Sequence, residues 1–485
     1  MNADLATASM ATLDTWWDPD LNLLTDPPSG EPPQRTRVRE SALYALGLLA
    51  RDAAGDHDRA VQVLHAVLAH QLDQPGAAWH GTWLRFPEEP VPDQTSREWR
   101  DYDPNWREFI GCTLLLALDT AEDRLPVDLV AGIDRALDLA VAGSLARGVS
   151  PLYSNIALMA AFLQHAVGRR RGDAATASAG VDLMRQVLDA FEEHGAFEEY
   201  NSPTYYGIDL YALALWRRYG AEPATHERAC AVEIALWRDI AAHHHAGLQN
   251  LAGPYDRSYG MDLRDYSGAV GLWLWLAQGR RGEVYPDLDR PHQHQWDLGL
   301  GPSVALLGLP ELPPDVLGEL EAFSGPRTVE QPIDGRRVAR SVLEENLIVG
   351  AEHVGGDRGN LHDQFHPLTA HWRLPGGVGW LRLVSTLTID VTAERAGDDA
   401  VDVGLRWSDG GELAFQVRAP GIDPAAISAE RWELPGLTVA METAAELERV
   451  ESASDGTWWL HYVAAAGVEG GADLALSCPD QARSR

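Results

Sequence analysis

The sequence predicts an α+β multidomain protein: an N-terminal (α/α) toroid, an incomplete barrel of paired helices, followed by a C-terminal antiparallel β-sandwich. Three observations carry this. Up to about residue 325 the apolar residues recur at helical spacing. From about Arg336 they alternate in β-branched and aromatic stretches parted by Gly/Asp turns such as Asp409-Gly410-Gly411. About 300 residues of helices without a fixed repeat period disfavour a solenoid and favour a ring of helix pairs around a cleft. Helices followed by strands, rather than alternating with them, mean separate α and β domains.

The helical stretches are Ser41–Leu49, Ala60–Leu72, Phe109–Leu118, Val127–Leu145, Asn155–Val167, Val181–Phe191, Tyr205–Trp216, Ala229–Ile240 and Ala269–Leu276. Pro126, Pro151, Pro203 and Pro223 punctuate them. Pro203 suits a first helical turn, with Asn201 or Ser202 as cap. The stretch 309–335, Pro-rich at Gly308–Pro314 with a helix at Asp315–Phe323, reads as the connection between domains 1–308 and 336–485. The strand stretches are Leu347–Val354, Leu368–Leu374, Gly379–Val391, Val401–Trp407, Leu413–Val417, Leu437–Met441 and Thr457–Val463.

Composition narrows the chemistry. The 485 residues carry 39 basic and 72 acidic side chains, a formal charge of −33. All the basic residues are arginine. With no lysine there is no Schiff-base or pyridoxal-phosphate chemistry and no GxxxxGK[ST] phosphate loop. The acidic balance argues against nucleic acid and anionic membranes as partners. Cys112, Cys230 and Cys478 are widely spaced and form no zinc or disulfide pattern. The N-terminus lacks a signal-peptide core and no apolar run has membrane-spanning length. The expectation is a cytoplasmic protein.

Five polar–aromatic segments are candidates for function. In WRDYDPNWREFIG (Trp99–Gly111), Trp99, Tyr102 and Trp106 can stack on sugar rings while Asp101, Asp103 and Asn105 bond hydroxyls; the alternative is a helix entry with half-buried aromatics. In YSNIAL, Asn155 is either a helix cap or an amide donor to a substrate carboxylate. In GAFEEYNSPTYYGIDL, Glu198, Glu199, Tyr200, Tyr205 and Tyr206 crowd one span. Tyr205 and Asp209 share a helical face at i, i+4, and Tyr205 can be a general acid/base if a cation sits beside it. In QNLAGPYDRSYGMDLRDY, Arg257 and Arg264 flank Tyr259 and Asp262, with Asp256 adjacent. The preceding His243–His245 triplet reads as helical, so its rings diverge and cannot share one metal. In NLHDQFHPLTAH, His362, Asp363, His366 and His371 can carry protons or hold a divalent metal, or be exposed loop histidines.

Together these segments resemble the toroid polysaccharide lyases of the heparinase II/III, alginate and chondroitin lyase group. NWREFIG (Asn105–Gly111) is similar to the NWW…IG segment of chondroitin and hyaluronate lyases. GAFEEYNSPTYYG is similar to their DGSF…Y…G segment, with an SPTY core closer to heparinase III-like sequences. NLHDQFHPLTAHWRLPGG is similar to the HxHxD…G strand of the heparinase β domain. The resemblance implies a carbon–oxygen lyase acting by β-elimination on a uronic-acid-containing glycan or glycoside, without an organic cofactor. It implies Asn155 on the uronate carboxylate, Tyr205 as catalytic tyrosine, Arg257 beside it and His362 or His366 as a β-domain base. Asn105, Trp106, Glu199, Tyr206, Asp256 and Tyr259 would contact substrate. The segments depart from the pattern in two places: Tyr200 stands for an expected histidine, and His194 precedes Gly195 where an aspartate is expected. The rivals are a glycoside hydrolase using carboxylates among Glu198, Glu199, Asp256 and Asp262, and a non-catalytic carbohydrate-binding protein.

Overall fold

The computed structural model describes residues 3–26, 35–355 and 364–479. Its helices are α1 (Ala3–Asp14), α2 (Val38–Arg51), α3 (Asp56–Ala69), α4 (Trp106–Ala121), α5 (Val127–Arg147), α6 (Ser154–Arg171), α7 (Ala174–His194), α8 (Tyr206–Tyr219), α9 (Pro223–His243), α10 (Ala269–Gln278), α11 (Arg281–Val284), α12 (Gly301–Leu307) and α13 (Pro314–Glu321). The strands begin with three short antiparallel ones, β1 (Trp17–Asp18), β2 (Leu23–Thr25) and β3 (Thr36–Arg37). The chain divides into two compact units. The first takes Met1–Ala190, Gly207–Ile234 and Ser267–Pro310; the second takes Phe191–Tyr206, Ala235–Tyr266 and Glu311–Arg485.

In the first unit the burial pattern sorts helices into two layers. α3 buries Ala60, Val63, Leu64 and Val67, the i, i+3, i+4, i+7 stripe of an outer helix. α6 is buried on all sides from Ser154 to His165, as an inner helix must be. The inner helices touch in series. α2 packs on α4 and α4 on α6. The Trp216 indole of α8 donates to the Leu158 carbonyl of α6 at 3.3 Å, and the Trp273 indole of α10 donates to the Gly207 carbonyl of α8 at 2.8 Å. α10 then packs on α12, and α12 on α2, which closes the ring. Gly207 permits the α8–α10 contact, because a Cβ there would run into the Ala269 backbone. Pairing is incomplete at the closing end, where α11 has 4 residues and α12 has 7.

Neighbouring inner helices also meet start to start. Asn105 and Tyr153, just ahead of α4 and α6, are hydrogen-bonded at 3.0 Å. Arg39, at the start of α2, bonds Asp297 ahead of α12 at 2.8 Å and lies over the Trp106 ring that opens α4. The inner helices are therefore parallel, and their positive dipole ends gather at one mouth of the ring.

The second unit contains a short hairpin, β4 (His244–His245) with β5 (Asn250–Leu251), and two sheets. The strands are β6 (Arg327–Pro332), β7 (Val338–Leu343), β8 (Leu347–His353), β9 (Leu368–Leu374), β10 (Gly377–Ser385), β11 (Ile389–Gly397), β12 (Ala400–Trp407), β13 (Gly411–Arg418), β14 (Arg431–Leu434), β15 (Leu437–Thr443), β16 (Glu446–Ser452), β17 (Trp458–Ala464) and β18 (Gly470–Ser477). An eight-stranded antiparallel sheet runs β16-β17-β13-β10-β9-β8-β7-β6, and a five-stranded one runs β11-β12-β18-β15-β14. One apolar core joins them: Leu347, Trp372, Phe415 and Tyr462 from the first sheet meet Val391, Val403, Val439 and Leu474 from the second. This is a sandwich with inward residues at period two.

Four expectations are corrected in detail. The stretch Gly379–Val391 is two strands in different sheets, β10 and β11, because Ser385 Oγ accepts from the Leu387 N–H and turns the chain. β6 precedes residue 336; its burial alternates, but its polar side chains give no apolar signal. The histidine triplet is not helical throughout: α9 ends at His243, and His244–His245 form β4. Tyr205 is not on α8. Ser202 accepts from the N–H groups of Tyr205 and Tyr206 and holds a turn over Pro203, so the helix begins one residue later.

Candidate active site

Within the second unit two loops lie side by side. Residues 198–206 follow α7, and residues 252–259 follow β5. The Tyr200 N–H donates to the Asp256 carboxylate at 3.0 Å and the Asp256 N–H donates to the Tyr200 carbonyl at 3.1 Å. The Asn201 amide, at a residue with φ of 48°, donates to the carbonyls of Ala252 and Pro254. Ser202 Oγ donates to the Arg257 carbonyl. These bonds set Tyr205 and Arg257 face to face.

Arg257 is the centre of the cluster. Its Nη2 donates to the Tyr205 hydroxyl at 2.8 Å, and its guanidinium carbon lies 4.1 Å from the centroid of the same ring. Its Nη1 is paired with Glu199, and its Nε donates to Gln364 Oε1 at 3.0 Å. The Tyr205 and Tyr259 hydroxyls are 3.2 Å apart. Tyr205, Arg257 and Tyr259 are half-buried, and the cation is held on three sides by Tyr205, Glu199 and Gln364. The arrangement can stabilise Tyr205 as a phenolate, which can take a proton and give it up again, and can relay a proton through Tyr259.

The flanking residues are tied into buried networks. Asp256 is 1% exposed and pairs with Arg337 at 3.0 Å. Arg337 also meets Asp334 at 2.7 Å, Glu198 at 2.9 Å and Glu352 at 3.7 Å. Burial opposes the Asp334 charge, but its hydrogen bond to Arg337 prevails and brings the carboxyl down to about 2. Tyr206 is buried and donates to Asp239 at 3.0 Å, which also accepts from Tyr200 at 3.2 Å; burial, then Asp239, pushes both phenols well above their ordinary range. Asp262 is held by the Asn250 amide at 3.1 Å and by Arg264 at 3.3 Å.

The histidine segment divides. His362 and Asp363 lie outside the described residues. His366 is wholly buried, with Nε2 at 3.0 Å from the Ser258 carbonyl and 2.9 Å from Arg382. Burial and then the Arg382 charge keep it neutral. His371 is also buried, bonded to the Met261 carbonyl at 2.8 Å. Among the described residues no group of three or more His, Cys, Asp or Glu is placed to hold a metal ion.

In the first unit Asn105 sits at the mouth of the ring. It accepts from Arg147 at 2.7 Å and donates to Tyr153 at 3.0 Å. Trp106 is 7% exposed and Asn155 is wholly buried in the first turn of α6, whose N-cap position is Tyr153. Sequence reasoning missed four residues: Gln364, Arg337, Arg147 and Glu108. Glu108 faces inward from α4. Burial raises its carboxyl to about 7, against a partial lowering by Arg107 and Ser144. Each is a single polar residue without a motif of its own, and the fold alone makes it special.

Among the described residues no helix is long and apolar enough to cross a membrane. The chain is similar to a solved structure described as heparinase III, at 9% identity over 99% of this chain and 85% of that one, with a TM-score of 0.47. It is similar to a heparan sulfate lyase HepC mutant from Pedobacter heparinus, at 10% identity over 91% and 77%, with a TM-score of 0.36. It is also similar to endoglucanase CelQ from Clostridium thermocellum complexed with cellobiose and cellotriose, at 9% identity over 99% and 93%, with a TM-score of 0.24. No curated protein sequence matches the chain. The model of one family covers residues 3–308, and the chain accordingly belongs to the family described as Domain of unknown function (DUF8769).

Proposed function

We propose that the chain is a carbohydrate-active lyase that cleaves a uronic-acid-containing glycan or glycoside by β-elimination. The observation that carries the reading is the 2.8 Å bond from Arg257 to the Tyr205 hydroxyl, at a half-buried tyrosine. In this reaction a base takes the proton at C5 of the uronate, the C4–O bond breaks, a C4=C5 double bond forms, and the leaving oxygen gains a proton. Tyr205 is the proton carrier. Arg257 stabilises negative charge on the phenol and on the developing carboxylate enolate. Tyr259, 3.2 Å away, can pass a proton between Tyr205 and solvent. Glu199 and Gln364 position the guanidinium and do not react.

The hydrolytic alternative needs one protonated and one ionised carboxyl flanking the glycosidic bond. Glu198 and Asp256 are paired with Arg337, Glu199 with Arg257 and Asp262 with Arg264. Each is engaged with an arginine, which favours elimination. The test is a screen of uronate-containing glycans read by ultraviolet absorbance and mass. Elimination gives a conjugated uronate and products that add up to the substrate without water. Products that incorporate water, with no new absorbance, overturn the reading.

A further inference from the structure

At the end of the ring opposite its mouth, the last turns of α4, α6 and α8 enclose a cavity of about 220 Å³. Two facing stripes form its walls. On the α4 side, Leu115 and Leu118 are each followed four residues later by a carboxylate, Asp119 and Glu122. On α6, Phe162, Ala166 and Arg170 succeed one another at the same interval. Residues at i, i+3 and i+4 share a helix face, so both stripes run from apolar to charged towards the helix ends. Phe162 and Leu118 are buried, Leu115, Ala166 and Tyr219 are half-buried, and Asp119 is exposed. The cavity therefore has an apolar floor and a polar rim.

The rim favours one sign of charge. The Arg170 guanidinium is engaged, donating to Glu122 at 2.7 and 2.9 Å and to Asp134 at 2.6 Å. Asp119 is met by a neutral donor, the Tyr219 hydroxyl, at 2.8 Å. Burial and then Asp119 push that phenol up to about 12, so it stays a donor. The lining side chains carry two carboxylates against one guanidinium, and three helix C-termini add their negative dipole ends. The complement of such a rim is a cation. Since an apolar cavity of about 150 Å³ holds one benzene ring, this one has room for a ring with a short arm.

We propose that the cavity is a binding site for a small aromatic amine in its ammonium form. The ring lies against Leu118 and Phe162, and the ammonium donates to Asp119. Phe162 and Tyr219, with ring centroids 6.3 Å apart, add aromatic surface that attracts a cation and not an anion. All the residues belong to the first unit, and the inference does not depend on the lyase reading.

The test is an NMR titration of the full chain with three probes of similar shape: benzylamine, benzyl alcohol and benzoate. Benzylamine should bind about tenfold more tightly than benzyl alcohol, the order of one charge-assisted hydrogen bond, and benzoate should bind least. Asp119→Asn removes the charge but keeps an acceptor for Tyr219. It should weaken benzylamine about tenfold and leave benzyl alcohol unchanged. Ala166→Phe fills the cavity and should abolish binding of both, with circular dichroism checking the fold; the exposed Asp119→Asn change decides the matter if that variant misfolds. Similar affinity for all three probes, or no binding of any, overturns the site. Benzylamine binding that is unchanged in Asp119→Asn overturns it too, by placing the amine elsewhere on the acidic surface.

Discussion

The Arg257 guanidinium engages Tyr205 twice, covering its ring at 4.1 Å and donating to its hydroxyl at 2.8 Å. The two contacts together fix both the plane of the phenol and the direction of its oxygen. A tyrosine that must carry a proton needs this kind of neighbour, because a cation lowers the cost of the phenolate.

Tyr205→Phe should lower turnover by roughly two to four decades while leaving the fold intact, because it removes only the hydroxyl that Arg257 and Tyr259 bond. Circular dichroism checks folding, and ultraviolet product formation checks rate. Near-normal turnover in a folded variant would move the proton carrier elsewhere, with Tyr259 next in line.

Arg257→Lys keeps the charge but cannot bond Glu199, Gln364 and Tyr205 at once, since the three contacts use the fork of Nη1, Nε and Nη2. The expected loss is about 100-fold or more, the scale of removing one preorganised charge-stabilising donor. Glu199→Gln should cost less and should act mainly on kcat, because it loosens Arg257 without removing it. Equal rates in wild type and Arg257→Lys would show that a point charge suffices.

Much of the fold was legible because burial period is written in residue type. Ala60, Val63, Leu64 and Val67 announce an outer helix, and the strand from Leu368 to Leu374 begins and ends where its apolar pattern does. The misses have a common cause. β6 and the boundary between β10 and β11 depend on pairing and a hydroxyl-held turn, not on hydrophobicity. For the candidate site, sequence brought forward Tyr205, Arg257, Glu199 and Tyr259, which the second unit places in one cluster. It could not rank the acids. Asp256 reads like Glu199 in sequence, yet one is locked under Arg337 and the other braces Arg257. The bonds of Gln364 to Arg257 and of Arg337 to Asp256 span more than fifty residues, to which local spacing is blind.

The Arg337 hub is the strongest stability test. Arg337 is 1% exposed and faces Asp256, Asp334, Glu198 and Glu352. Removing the cation leaves the buried Asp256 and Glu352 carboxylates without their counter-charge, and Arg337→Met should lower stability by about 3–5 kcal/mol. Arg449→Met, which breaks exposed pairs with Glu448 and Glu451, should cost about 0–1 kcal/mol. Denaturant unfolding of both variants compares them directly, and similar shifts would mean that the hub adds nothing beyond a surface ion pair.

Glu108 sets a pH dependence in the helical unit. Its carboxyl is buried in the native chain and titrates near 7, whereas the ordinary value is 4.5. Below about pH 4.5 both native and unfolded chains hold this proton, and Glu108 contributes no pH dependence. Between about 4.5 and 7 the unfolded chain releases the proton and the native chain keeps it, so this group lowers stability as pH rises, by up to about 3 kcal/mol. Above about 7 the native group is ionised too and the loss levels off. Glu108→Gln keeps the shape and removes the titration. The variant should therefore be more stable than the wild type at pH 8, and the difference should shrink steadily towards pH 5. Thermal unfolding followed at both pH values checks this. A Gln variant that is less stable than the wild type at pH 8 would mean that the ionised carboxylate is held by partners stronger than Arg107 and Ser144, and that its burial is compensated rather than costly.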